Sequence, residues 1–191
     1  MREEMEITLK INSRLEELKK EWEAKGFKKI EEYFVDDIYM VPIDSEINKE
    51  NLLFSLNKAV LLRNINNEKK LITYKNKVYD NTFNIISQTK TNCEILDIDE
   101  AKELFFNLGY KELIKIHDYM WIYSNNVFEV AIQFVNDKYL LLEMENKCST
   151  SDREYENIES MIKDLKEVNL NLDYSNLFVK KAELVFNEKY I

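Results

Sequence analysis

The chain has 191 residues, 45% of them apolar and 33% charged, with two Gly and one Pro; this excludes a disordered chain and leaves no linker, so residues 1–191 are expected to form a single domain. A net charge of −9 argues against a nucleic-acid partner, which needs clustered Lys and Arg, but not against a small anion in a local cationic pocket. MREEMEITLK has no apolar signal core, no stretch reaches the ~18 apolar residues of a membrane span, and Cys93 and Cys148 sit in no metal or disulfide spacing, so a cytoplasmic chain with no membrane partner is expected.

Glu4-Met5-Glu6-Ile7-Thr8-Leu9-Lys10-Ile11 is apolar at every odd position and predicts a strand. Ser13 and Glu16 have capping-box spacing, Leu15, Leu18 and Trp22 form an apolar stripe, and Gly26 suits the C′ position, so a helix should follow. The chain then reads as extended over 28–41 and looser over 42–56, with strands around 59–65 and 70–75. The weakly patterned stretch 84–96 is assigned a strand. A second helix begins near Asp97, with Glu100 placed for a capping box and Gly109 at its end. Strands resume over 112–123, 127–135 and 139–147. Ser151 and Glu154 open a third helix bearing Ile158, Met161, Ile162 and Leu165, and a last helix should run over 175–186.

Gly26-Phe27-Lys28-Lys29-Ile30 is echoed by Gly109-Tyr110-Lys111-Glu112-Leu113, 83 residues later. Two equivalent strand–helix–strand halves can close one sheet into a barrel or tunnel, which removes exposed edges. Glycines that merely end two helices would give the same echo.

Side chains two apart on a strand lie on one face, roughly 6–7 Å apart. Glu4 and Glu6 therefore point together, as do Glu143 and Glu145. Arg63, Lys75, and the pair Lys115 and His117 put cations on one face of other strands. If the sheet curls, two carboxylate pairs face Arg and Lys across an interior, an arrangement suited to a polyphosphate with a divalent metal ion. The same alternation also marks an antiparallel sheet with one wet face. His117 is the only histidine, and no Walker A, GxGxxG or GxSxG motif occurs.

The order of these elements resembles the CYTH superfamily, the triphosphate tunnel metalloenzymes that include class IV adenylyl cyclases and thiamine triphosphatases. The resemblance rests on Glu4-Met5-Glu6-Ile7, the helix and Gly-Phe, Asp37-Ile38-Tyr39, Leu62-Arg63, Leu71-Ile72-Thr73-Tyr74-Lys75, Leu108-Gly109-Tyr110 and Leu142-Glu143-Met144-Glu145. It implies an α+β fold: a closed eight-stranded antiparallel β-barrel or tunnel with helices packed outside. It implies Mg²⁺ or Mn²⁺ held by Glu4, Glu6, Glu143 and Glu145, and a triphosphate or nucleotide bound by Arg63, Lys75 and Lys115, with Lys90 and Glu94 matching a further charged strand. The implied activity is hydrolysis of a triphosphate; cyclisation of ATP to cyclic AMP, and binding without turnover, are the alternatives. The family's opening Glu-x-Glu-x-Lys has Thr8 at its third position, with Lys10 next on that face. Its second strand arginine is missing beside Arg63, and Gln133 stands where an aspartate is expected.

Overall fold

The computed structural model describes residues 5–48, 51–79, 85–150 and 153–190, with backbone alone at 53, 54 and 85–87. Within them, alternation of apolar and polar side chains builds nine strands: β1 (Glu6–Ile11), β2 (Lys28–Pro42), β3 (Val60–Ile65), β4 (Lys69–Tyr79), β5 (Ile85–Glu94), β6 (Tyr110–Ser124), β7 (Glu129–Val135), β8 (Tyr139–Glu145) and β9 (Leu172–Asp173). Apolar stripes build five helices: α1 (Leu15–Ala24), α2 (Leu52–Asn57), α3 (Ile98–Asn107), α4 (Ile158–Val168) and α5 (Lys181–Tyr190). Antiparallel ladders join the strands into one sheet in the order β5-β4-β3-β2-β6-β7-β8-β1-β9.

The expected closed eight-stranded barrel is corrected to an open nine-stranded sheet in an α+β fold, because among the described residues no ladder joins β5 to β1 or β9. The edge of β1 that β5 would need is already occupied. Lys10 and Ile11 pair with Asp173 and Leu172 of β9. Thr8 bridges Phe178 in parallel, donating its N–H to the Leu177 carbonyl at 2.9 Å and accepting from the Val179 N–H at 3.0 Å.

The 83-residue echo is a repeat of geometry. Exchanging β1 with β5, β2 with β6, β3 with β7 and β4 with β8 maps the first eight strands onto their own order reversed. The hairpin after β3 turns through Asn66 and Asn67, and that after β7 through Asn136 and Asp137, all with left-handed φ, which Asn and Asp tolerate best among residues with a side chain. Asn66 exchanges two hydrogen bonds with the Phe34 backbone, of 3.1 and 3.0 Å. Asn136 exchanges the same two with the His117 backbone, of 2.7 and 2.8 Å, and Phe34 and His117 are again 83 residues apart.

Side-chain caps set the starts of α3 and α4. Asp97 accepts from the Asp99 and Glu100 N–H groups and starts α3 as expected. The Ser13 box does not form: Arg14 is the N-cap of α1 without a side-chain bond, and Ser13 Oγ is buried without a partner among the described residues. Asn157 caps α4 by accepting from the Ser160 N–H; the expected start, Ser151, lies outside the described residues. The last helix begins at Lys181 because the chain before it runs beside β1.

Three apolar clusters set where polar side chains can gather. Leu18 and Trp22 of α1 and Met161 and Leu165 of α4 cover the outer face of β1, β7 and β8. Ala101 of α3 packs on Met40 and Leu62. On the inner face, Leu52 and Leu56 of α2 and Val185 and Phe186 of α5 meet Tyr39, Ile114, Ile116 and Leu141 and plug one end. The polar cavity lies beside this plug. No described helix is long and apolar enough to cross a membrane.

Candidate functional site

Inward-pointing residues of eight strands and the start of α5 enclose a cavity of about 210 Å³. Its acidic wall comes from β1 and β8, where Glu6 faces Glu145 and Thr8 faces Glu143 across the ladder. Carboxylate oxygens of Glu6, Glu143 and Glu145 all lie within 4.8 Å of one another. Burial, and then the charge of Glu143, push the Glu6 carboxyl above its ordinary value. Amide N–H groups hold two of the three acids: Gln88 donates to Glu6 at 2.7 Å and Gln133 to Glu143 at 2.9 Å. Three convergent oxygen donors fit a hard divalent cation, which would relieve their mutual repulsion.

The cationic wall comes from β3, β4, β5 and the start of α5. Arg63, Lys75, Lys77, Lys90, Lys180 and Lys181 all line the cavity. Lys75 faces Lys90, and Lys77 faces Gln88, across the β4–β5 ladder. Burial depresses the Lys75 ammonium, and the charges of Arg63 and Lys90 add to the effect. Lys77 is pushed down to about 8 by burial and then by Lys75.

Two buried aspartates beneath this wall hold part of its charge. Arg63 donates from Nε and Nη2 to Asp37, both at 2.7 Å, and Asp37 is 2% exposed. Burial alone would raise the Asp37 carboxyl, but the hydrogen bonds and charge of Arg63 outweigh it and hold it low. Lys181 donates to Asp118 at 2.6 Å. Burial opposes the Lys181 charge, yet Asp118 and Asp37 leave its ammonium raised.

The cavity therefore gathers Glu6, Glu143, Glu145, Arg63, Lys75 and Lys90 from the residues singled out in the sequence. Glu4 lies outside the described residues. Lys115 does not reach the cavity: β6 turns Ile114, Ile116 and Asp118 inward, so Lys115 is on the outer face, 3.7 Å from Glu112. His117 shares that outer face and contacts Asp36 at 2.5 Å. Lys10 is exposed where β1 pairs with Asp173 of β9, and it does not line the cavity. Glu94, at the end of β5, is exposed beside Lys69. Sequence reading missed Lys77, whose signal was its spacing of two from Lys75. It also missed Lys180 and Lys181, which reach the cavity through the bridge of Phe178 to Thr8, a long-range contact with no local pattern.

A curled antiparallel sheet with cations on one inner wall and convergent glutamates on the other is the frame of a CYTH-type tunnel protein. No family model matches the chain. A Methanocaldococcus jannaschii protein provisionally named as an adenylate cyclase is 30% identical over 175 residues, spanning 89% of this chain and 91% of its own. The chain belongs to the CYTH superfamily. Among solved structures, a Pyrococcus horikoshii protein superposes with a TM-score of 0.68 at 23% identity, covering 96% of this chain and 99% of that one. A Hippeastrum protein, provisionally named as an adenylyl cyclase and described as having a dominant triphosphatase activity, superposes with a TM-score of 0.62 at 14% identity over 100% of this chain and 97% of its own.

Proposed function

We propose that the chain binds a triphosphate with Mg²⁺ or Mn²⁺ in this cavity and hydrolyses it to a diphosphate and orthophosphate. The observation that carries the reading is the pair of opposed walls, with six cations facing three convergent carboxylates. Lys75, Lys77, Lys90 and Lys180 donate to phosphate oxygens, each charge-assisted contact contributing about 1.5–3 kcal/mol. Arg63 uses two of its five donors on Asp37 and turns the others to the anion. Glu6, Glu143 and Glu145 would hold the divalent ion, which would neutralise phosphate charge when bound. The apolar plug of α2 and α5 keeps water from that end, and attack on the terminal phosphorus comes from water in the open part of the cavity. Positioning and charge neutralisation supply most of the catalysis in phosphoryl transfer. The whole chain acts as one unit, the curled sheet enclosing the ligand as a tunnel would.

The described activity of the Hippeastrum protein supports hydrolysis, and the name of the M. jannaschii relative supports cyclisation of ATP as the alternative reaction. Binding without turnover is the second reading, favoured by one observation: Arg63 and Lys181 are already tied to buried aspartates. The test is to incubate the pure chain with inorganic triphosphate, ATP and thiamine triphosphate, each with Mg²⁺ or Mn²⁺, following phosphate and cyclic AMP. Phosphate release is expected. Cyclic AMP as the main product replaces hydrolysis with cyclisation, calorimetric binding without product leaves a binding protein, and no triphosphate affinity overturns the reading.

A further inference from the structure

Two glutamines hold the acidic wall, and each leaves its own oxygen without a partner among the described residues. Gln88 Nε2 donates to Glu6 Oε2, and Gln133 Nε2 donates to Glu143 Oε2. Both side chains are 1% exposed. An ionised carboxylate only accepts hydrogen bonds, so each amide presents its NH₂ end and turns its carbonyl elsewhere. Neither Gln88 Oε1 nor Gln133 Oε1 has a hydrogen-bond partner among the described residues. Buried amide oxygens nearly always have one, so two orphans beside one carboxylate cluster mark a place for something that attracts oxygen. Gln133 lines the cavity, and Gln88 shares the inner face of β5 with Lys90, which lines it.

A divalent cation meets both needs. It accepts amide carbonyls as well as carboxylates, directly or through its bound water. Partners that orient the ligands of a metal commonly control its affinity. We infer that Gln88 and Gln133 are positioning residues for a cation held by Glu6, Glu143 and Glu145. Each N–H fixes one carboxylate oxygen, and each amide carbonyl faces the ion or its water. The inference rests on the proposed reading of the acidic wall as a cation site.

Gln88 does something that Gln133 does not. Gln133 and Glu143 stand on β7 and β8, which share a ladder. Gln88 and Glu6 stand on β5 and β1, which share none among the described residues. Their bond is a side-chain tie across the open seam of the sheet. A cation that immobilises Glu6 therefore draws β5 towards β1, and by linkage the docking of β5 tightens the cation.

The test uses the full chain with Mn²⁺ alone, measured by calorimetry and by electron paramagnetic resonance. Gln88→Met and Gln133→Met, which keep length and remove the amide, are each expected to weaken Mn²⁺ about tenfold. In the unaltered chain Mn²⁺ should slow amide hydrogen exchange across β5, and Gln88→Met should abolish that slowing while Gln133→Met retains it. This exchange measurement stands even where a variant folds poorly, because its first arm needs no substitution. Mn²⁺ binding unchanged within twofold in both variants, or no slowing in β5 of the unaltered chain, overturns the inference and leaves the cation site intact. No Mn²⁺ binding by the unaltered chain overturns the cation site as well.

Discussion

Asp37 and Arg63 are direct partners across the β2–β3 ladder and share two hydrogen bonds of 2.7 Å, with the aspartate side chain 1% exposed and the arginine 17%. Removing one member of such a pair strands the other charge, at a cost of about 3–5 kcal/mol. Asp37→Ala should lower stability by that order in urea unfolding. At the same time it should tighten inorganic triphosphate, because Arg63 gains donors for the anion. The native pair has a pH signature. The folded-state pKa of Asp37 lies below its ordinary value, so its stabilisation is complete above the unfolded pKa and is lost as pH falls through the folded one. Asp37→Ala should remove that part of the acid destabilisation.

Lys77 sets a second pH dependence, of opposite kind. Its ammonium is pushed down to about 8, so it sheds its charge in mildly alkaline solution and triphosphate affinity should fall as pH rises from 7 to 9. Calorimetry across that range should show a loss of roughly tenfold, the order of one charge-assisted contact. Lys77→Met should bind weakly throughout with a flatter profile. Stability moves the other way: the unfolded chain binds the extra proton between about 8 and the ordinary lysine value, so folding is favoured as pH rises there.

Lys75 and Lys115 separate the cavity from the outer face. Lys75→Ala should weaken triphosphate about tenfold. Lys115→Ala should leave affinity within twofold, since its ammonium stands outside near Glu112. Equal losses in the two variants would contradict the placement of the site.

Strand alternation made β1, β8 and most of β4 legible in the sequence, and with them Glu6, Glu143, Glu145 and Lys75. A period of two assigns faces within a strand but does not say which face of each strand turns inward. That is why Lys115, on a well-marked strand, falls outside. The opening of the barrel is hidden from the sequence for a different reason. The edge of β1 is taken by β9 and by 177–179, segments too short to carry a period of their own. The same contact hides Lys180 and Lys181. Asp37 stands out in the sequence only as part of a motif, because a buried ion pair joining residues 26 apart leaves no mark on local hydropathy.

Gly26 and Gly109 end α1 and α3 with φ of +83° and +82°, and a Cβ at either would meet nothing within 4 Å. The cost of a side chain there is purely one of backbone conformation. Gly26→Ala and Gly109→Ala should each destabilise by about 1 kcal/mol in urea unfolding, and Asn at either position by less, since Asn enters the left-handed region more readily.

The two sides of the sheet, β5-β4-β3-β2 and β1-β8-β7-β6, differ in charge at matching places, a cation on one answered by a neutral amide or a carboxylate on the other. Arg63 and Gln133, and Lys75 and Glu145, are spaced as the hairpin residues Asn66 and Asn136 are. Lys90 faces Lys75 as Glu6 faces Glu145. The two sides are thus twins in backbone that differ in lining, one presenting cations to the cavity and the other carboxylates. Each wall is the other's complement, and reversing the charge of one would set like against like across the cavity.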